Sequence, residues 1–277
     1  MSCLVPTGDG RTLDVLVTGS GDRTVVFHAG TPCGLVALPS EVVDPGDYRL
    51  VYYARPGYAR STPHPGRSVA DVAADTLAIA DALDADTFVT LGWSGGGPPA
   101  LACAALAPAR CRATALVAGL APPGAGVQDW SSGKMSHAIN GDVEGLTVAI
   151  EADRRDIAAA DDRAVATMYA TPQDLAALPE PCIDWLGAYA RSAYTTSADG
   201  ALEDWLSFVK PWGFEVADAR NVAVWHGDQD VAVTPASAWW ITAQAVGASL
   251  HLLAGEGHVS IALHLPTIIA DLFERAP

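Results

Sequence analysis

Positive charge is scarce in this sequence. Its 277 residues hold 16 Lys and Arg against 32 Asp and Glu, a net charge of −16. Nucleic acid and anionic membrane surfaces repel such a chain, so neither is expected as a partner. Long apolar runs are missing too. No segment approaches the ~18 uninterrupted apolar residues of a membrane-spanning helix. The first residues, Met1-Ser2-Cys3-Leu4-Val5-Pro6, have no basic region leading into an apolar run. No signal peptide is therefore expected, and the expected location is cytoplasmic. Cysteine is sparse and odd in number: Cys3, Cys33, Cys103, Cys111 and Cys182 match neither zinc-ribbon nor C-x-x-C spacing. Their expected role is as small buried side chains in a reducing compartment, with no metal. No internal repeat or low-complexity segment stands out.

What is present is a large supply of core residues. Half of the chain is hydrophobic, which excludes a disordered protein and suits one large core or a core carrying an insertion. Strand-like apolar runs fall at 11–18, 24–28, 48–54, 87–91, 113–117, 221–226 and 249–253. Helical patterns fall between them at 68–83 (with Ser68 as N-cap), 98–106, 235–246 and 259–275, and a short helix broken by Pro39 is expected at 34–43. Strands alternating with helices predict an α/β fold with a mostly parallel central sheet flanked by helices on both faces. At Ala121-Pro122-Pro123-Gly124 the pattern changes. From 127 to 214 no strand is expected, and 142–158, 161–170, 172–178, 182–193 and 200–209 have helical patterns. The predicted organisation is a core of 1–126 and 215–277 with a helical cap insertion at 127–214.

One turn carries the chemistry. Gly92-Trp93-Ser94-Gly95-Gly96 lies between an apolar strand and an Ala/Leu-rich helix and fits the G-x-S-x-G nucleophile elbow. Such a match also arises by chance, so a base, an orienting acid and an oxyanion hole must be found elsewhere. A Ser hydroxyl needs a base to take its proton. Of seven His, His258 in Gly255-Glu256-Gly257-His258 leaves a strand and opens the last helix. Parallel sheets gather active sites at the carboxyl ends of their strands, so His258 is expected beside Ser94. His226 and His251 lie within strands and His264 further along the helix, where local packing is the simpler role. The acid is sought in His226-Gly227-Asp228-Gln229-Asp230. Asp230 is better placed to reach His258, and Asp228 to bond turn amides. Two backbone N–H groups would form the oxyanion hole. Gly95 supplies one, and the loop Gly30-Thr31-Pro32 supplies the other through Thr31, since Pro32 has no N–H to donate.

Taken in order, His28-Ala29-Gly30-Thr31-Pro32, Arg55-Pro56-Gly57-Tyr58-Ala59-Arg60-Ser61, Gly92-Trp93-Ser94-Gly95-Gly96, His226-Gly227-Asp228-Gln229-Asp230 and Gly255-Glu256-Gly257-His258 resemble the α/β-hydrolases, a superfamily of capped serine hydrolases that includes esterases. The resemblance covers almost the whole chain. It implies that the second Asp of the G-D-x-D run, Asp230, is the triad acid, and that 127–214 is a cap over the site. Two positions depart from the pattern: Ala29 stands where a His usually precedes the oxyanion-loop Gly, and Ala54 where an Asp often precedes the Arg-Pro-Gly-Tyr run. Gly30, Trp93 and Cys33 are expected to touch substrate. In the cap, Trp130, Trp185, Trp205, Trp212, Tyr169, Tyr189 and Tyr194 are available to line a pocket, although core packing is the simpler role for most. The implied function is hydrolysis of an ester or other acyl bond of a small, largely apolar molecule, through Ser94, His258 and Asp230, without a cofactor. The same triad could serve a C–C bond hydrolase, an aminopeptidase, an acyltransferase or a lyase, and the scaffold could serve a non-catalytic ligand-binding protein.

Overall fold

Side-chain alternation decides the sheet. In β3 (Arg23–His28), Val25 and Phe27 turn to one face and Val26 to the other, and all three are buried. β5 (Phe88–Trp93) and β7 (Val222–Gly227) are buried at every residue, and β6 (Cys111–Val117) at all but Arg112. Strands buried on both faces belong in a parallel sheet covered by helices. The computed structural model, which describes residues 1–276, contains that sheet. Together with β1 (Ser2–Pro6), β2 (Thr12–Thr18), β4 (Tyr48–Tyr53) and β8 (Ser249–Leu253), the described residues form eight strands in the order β1-β2-β4-β3-β5-β6-β7-β8. β3 to β8 are mutually parallel, and β1 and β2 are antiparallel to their neighbours. The helices α1 (Asp71–Ala82), α2 (Gly97–Leu106) and α9 (Pro235–Gln244) cover one face through Ile79, Leu101 and Ile241. α10 (Leu265–Arg275) covers the other through Ile268 and Leu272. Among the described residues no helix is long and apolar enough to cross a membrane.

Between β6 and β7 the chain forms α3 (Gly133–Ile139), α4 (Val143–Ala159), α5 (Asp162–Ala166), α6 (Pro172–Ala177), α7 (Glu180–Ala193) and α8 (Asp199–Val209). Leu146, Ile150, Val165 and Leu186 from these helices join the same apolar cluster as the β3 and β5 side chains. Among them α7 reaches the carboxyl end of β5, where Trp185 and Tyr189 face Trp93.

Several boundaries differ from the sequence reading, each for a physical reason. β1 was not expected. It is an edge strand with only Val5 fully buried, so its side chains carry no alternation to read. The helix expected at 34–43 is absent. There the Leu35 N–H donates to Ser192 Oγ (3.0 Å) and the Leu38 N–H to the Tyr52 hydroxyl (3.2 Å), so tertiary partners take the donors a helix would have used. Ser68 is not the N-cap of α1. Its N–H and Oγ both donate to Asp71 Oδ2 (2.7 and 2.9 Å), closing a turn ahead of a helix that begins at Asp71. α5 ends at Ala166, short of 170, and α3 was not foreseen because only Ala138 of its seven residues is buried. The last helix does not start at Val259. A tight turn covers Ser260–His264 and α10 starts at Leu265, where Pro266, lacking an N–H, is tolerated only in the first helical turn.

His28, at the end of β3, is fully buried. Its Nδ1 lies 2.9 Å from the Tyr53 hydroxyl. Burial, aided by the Arg55 charge, pushes its pKa down to about 3. It stays neutral in the fold but protonates once unfolded, so the unfolded state binds more protons below pH ~6.5 and stability falls as pH falls from there. His28 is expected to account for a loss of about 2 kcal/mol between pH 7 and pH 5. Urea midpoints at both pH values, in the wild type and in His28→Leu, check this. The variant is expected to lose less on acidification, and equal losses in both proteins would refute the assignment.

Candidate active site

Ser94 follows directly on β5 with φ of +55°. A side chain in that region is strained by about 1–2 kcal/mol. The crowding around it explains the flanking glycines. A Cβ at Gly92 would overlap the Gly96 carbonyl and sit 2.7 Å from Ala100 Cβ, and one at Gly96 would overlap the His28 carbonyl. Only glycines let the strand, the turn and α2 pass this closely. The turn delivers Ser94 Oγ to 2.9 Å from His258 Nε2.

His258 and Asp230 arrive from the loops after β8 and β7, which share the sheet edge with Ser94. Asp230 Oδ2 lies 2.7 Å from His258 Nδ1, and Asp230 Oδ1 accepts the Ala232 and Val233 N–H groups at 2.9 Å each. An ionised carboxylate can only accept, so Nδ1 carries the proton and the Nε2 lone pair faces Ser94. Burial alone would raise the Asp230 pKa. Electrostatic attraction to His258 and hydrogen bonds from His226 and His258 outweigh burial and hold the carboxyl below its usual range. His226 Nε2 donates to the Val233 carbonyl (2.8 Å) and lies 3.3 Å from Asp230 Oδ2. Asp228 instead accepts the Gly255 N–H at 2.8 Å, bracing the loop that leads to His258. His251 stacks on Trp225, and His264 bonds Glu256.

Two further groups hold His258 in place. Trp93 Nε1 donates to the His258 carbonyl at 3.1 Å. Asp174, a buried residue of α6, accepts the N–H groups of Val259 (3.2 Å) and Ser260 (2.9 Å). Burial opposes the ionised form of Asp174, but these bonds and those from Thr171 hold its pKa below the usual range.

The loop after β3 lies against the elbow. A Cβ at Gly30 would be 3.4 Å from Ser94 Cβ, and one at Gly95 would be 2.5 Å from Thr31 Oγ1. Among the described residues the Thr31 N–H has no hydrogen-bond partner. Behind this loop lies a buried ionic cluster. Thr31 Oγ1 donates to Asp204 Oδ2 (2.8 Å), as does the Tyr58 hydroxyl (2.8 Å). Arg55 forks onto both Asp204 oxygens (3.0 and 2.5 Å), and Arg67 reaches Oδ1 (2.5 Å). Burial would raise the Asp204 pKa, but the two guanidinium charges outweigh it and hold the group ionised well into acid.

Two cavities meet at Ser94 and His258. One, of about 280 Å³, has an apolar wall of Leu120, Met135, Met168, Trp205, Phe208 and Val233. Lys134 also lines it and is paired with Asp153. The other, of about 40 Å³, lies among Gly30, Pro32, Trp93, Leu186 and Tyr189. Gly30 and Trp93 therefore sit where substrate contact was expected. Cys33 does not: it is buried, its Sγ–H points to the Tyr53 carbonyl (3.5 Å), and it lines neither cavity. Burial also raises its thiol pKa, which disfavours the thiolate a nucleophile would need. Of the aromatic residues singled out in the inserted segment, Trp205, Tyr169 and Tyr189 reach a cavity wall. Trp185 packs at a tilt against Tyr189 behind that wall, and Trp130 and Trp212 pack in the core on the α2 and α9 side. Asp174, Asp204, Arg55 and Arg67 were not assigned any part in the site from sequence. Nothing local distinguishes Asp174, Asp204 or Arg67 from solvent-facing charges, and Arg55, although part of the Arg-Pro-Gly-Tyr run, carries no local sign of the groups it holds. Among the described residues no group of three His, Cys, Asp or Glu is arranged to hold a metal ion.

Comparisons with known proteins bear on the family and the fold. Over 105 residues the chain is 30% identical to the uncharacterized hydrolase YcgS of Bacillus subtilis (strain 168), a match spanning 38% of this chain and 37% of that protein. An α/β hydrolase fold protein from Nakamurella multipartita is 22% identical with a TM-score of 0.72, covering 100% of this chain and 99% of the other. A thermophilic esterase from Thermogutta terrifontis, with malate bound, is 16% identical with a TM-score of 0.72, covering 100% of both chains. At these identities the two structures speak to the fold. Residues 23–265 match the family described as alpha/beta hydrolase fold, a span that runs from β3 to the first residue of α10 and takes in Ser94, Asp230 and His258. This chain therefore belongs to the α/β hydrolase fold family.

Proposed function

We propose that the protein is a serine hydrolase that cleaves an ester or other acyl bond of a small, largely apolar molecule. The observation that carries this reading is the unbroken relay from Ser94 Oγ through His258 to Asp230, set on a strained turn at the junction of two cavities. His258 Nε2 takes the Ser94 proton as Oγ attacks the acyl carbonyl, and Asp230 stabilises the imidazolium that results. The N–H groups of Gly95 and Thr31 receive the developing oxyanion. His258 then protonates the leaving group, and water, activated by the same base, releases the acyl group from Ser94. In this reading the helices of 127–214 are the cap, supplying Met135, Met168, Trp205 and Phe208 to the apolar wall. The hydrolase name of the Bacillus relative and the esterase name of the Thermogutta structure point the same way.

The unequal cavities set a substrate preference. About 40 Å³ accommodates about three non-hydrogen atoms, so the small cavity takes a short acyl group. The larger cavity takes the apolar alcohol portion. A p-nitrophenyl ester series tests both the reaction and this arrangement. Acetate and propionate esters are expected to exceed the octanoate in kcat/KM by roughly tenfold or more, since a chain too long for its pocket forfeits productive orientation. A flat or rising series would overturn the arrangement. A fluorophosphonate probe is expected to modify Ser94, read by peptide mass spectrometry, and absence of both labelling and ester turnover would overturn the proposal itself.

A further inference from the structure

We propose that Arg55 and Asp204 are positioning residues for the oxyanion hole, so that helix α8 of the inserted segment sets the direction of the Thr31 N–H. This inference rests on the serine-hydrolase reading above. Its physical basis is the planarity of the Gly30–Thr31 peptide, which is trans. The Gly30 carbonyl and the Thr31 N–H therefore point in opposite directions from one rigid plane. Arg55 Nη2 donates to the Gly30 carbonyl at 2.8 Å, and Arg55 Nη1 donates to the Ala29 carbonyl at 2.5 Å. Fixing the carbonyl on the far side fixes the N–H on the side of Ser94. The same Nη2 donates to Thr31 Oγ1 (3.1 Å), which in turn donates to Asp204 (2.8 Å). The residue that offers the N–H is thus held at both its preceding carbonyl and its side chain.

Asp204 is what holds Arg55. Its carboxylate is fully buried and accepts from Arg55, Arg67, Tyr58 and Thr31, so all of its acceptor capacity is committed within the protein. Arg55 is likewise buried, and a guanidinium removed from water stays in place only where its fork is matched by acceptors. Arg55 follows β4 and Asp204 lies on α8, 149 residues away. Neither lines the two cavities at Ser94. They act on the reaction through Gly30 and Thr31, whose neighbours Ser94 and Gly95 lie in direct contact with that loop. The arrangement makes the cap a part of the catalytic geometry as well as a cover for substrate.

The test separates orientation from folding. Thr31→Val keeps every charge of the cluster but removes the hydroxyl that Arg55 and Asp204 hold, and Thr31→Ser restores it. Asp204→Asn removes the charge that anchors Arg55. Turnover of p-nitrophenyl acetate is measured per Ser94 titrated with the fluorophosphonate probe, so unfolded molecules do not count. Thr31→Val and Asp204→Asn are expected to lower kcat about 10- to 100-fold with KM changed less than about threefold, because a misdirected donor weakens the transition state and not the bound ester. Thr31→Ser is expected to recover most of the loss. The double variant Thr31→Val/Asp204→Asn should lose less than the product of the single losses, since both act through one device. Wild-type kcat in folded Thr31→Val, a loss confined to KM, or strictly multiplicative losses would overturn the inference. Should Asp204→Asn fail to fold, the Thr31→Val and Thr31→Ser pair decides. If Ser94→Ala itself retains turnover, the triad reading falls and this inference with it. If Ser94→Ala is inactive while Thr31→Val matches the wild type, only the positioning role falls.

Discussion

Ser94→Ala is expected to reduce kcat for the best ester substrate by about 10⁴- to 10⁶-fold while leaving KM nearly unchanged. Ser94 Oγ lies 2.9 Å from His258 Nε2, and among the described residues no second hydroxyl is bonded to that nitrogen, so under the proposed mechanism no other group can replace the lost nucleophile. The residual rate would come from binding and from the Gly95 and Thr31 N–H groups, which the substitution leaves in place. Steady-state kinetics with fluorophosphonate labelling check this, and a fall of less than about 10²-fold would remove Ser94 from the mechanism. The strained backbone adds a second readout. At φ of +55° a glycine is free of the penalty a Cβ incurs, so Ser94→Gly should be equally inactive yet more stable by about 1 kcal/mol. Activity and stability then move in opposite directions at one residue, as expected where strain is retained for function.

Arg55→Met is expected to destabilise the protein by about 3–5 kcal/mol, because it removes one partner of a buried ion cluster and leaves a carboxylate short of donors. Arg55 supplies the Asp204 fork and binds the Ala29 and Gly30 carbonyls, and Arg55, Asp204, Arg67 and Tyr58 are all buried. For a chain of this size the loss corresponds to a fall in Tm on the order of 10 °C. The pH dependence should change as well. The Asp204 pKa is depressed in the fold, so its stabilisation is present above the unfolded carboxylate pKa and is lost as pH falls through the folded value. Without Arg55 that folded value rises, and acid unfolding should begin at higher pH in the variant. Melting curves from pH 7 downward check both statements. A Tm within about 2 °C of the wild type would mean that the cluster contributes little to stability.

The parts of this protein that could be read from sequence are those whose cause is local. The alternation in β3 and the apolar runs at β5, β6 and β7 reflect burial of neighbouring residues along one strand. The elbow could be recognised because strand, glycine turn and helix are contiguous, and its two partners because each follows a strand that must end at the same edge. Asp228 and Asp230, only two residues apart, could be ranked by loop placement together with the family pattern, and Asp230 is the one at His258. Edge strand β1 and helix α3 escaped notice because few of their side chains are buried. The segment at 34–43 has a helical pattern but forms no helix, because its Leu35 and Leu38 N–H groups go to Ser192 and Tyr52, partners that the segment itself does not contain.

The sequence by itself determined the α/β architecture, and it pointed to Ser94, Asp230 and His258 in turns and loops that follow strands, together with the loop at Gly30 and Thr31. Only the tertiary structure decided that Cys33 turns away from the cavities, that Asp174 braces the His258 loop, and that Asp204 anchors the loop beside Ser94. The reason is the same in each case. Local patterns report which way a side chain faces along its own element. Whether an aspartate faces water or two arginines depends on chain segments that return from 149 and 137 residues away. An isolated Asp on an amphipathic helix reads as solvent-exposed, because burying a charge is unfavourable until partners that no local pattern names have closed around it.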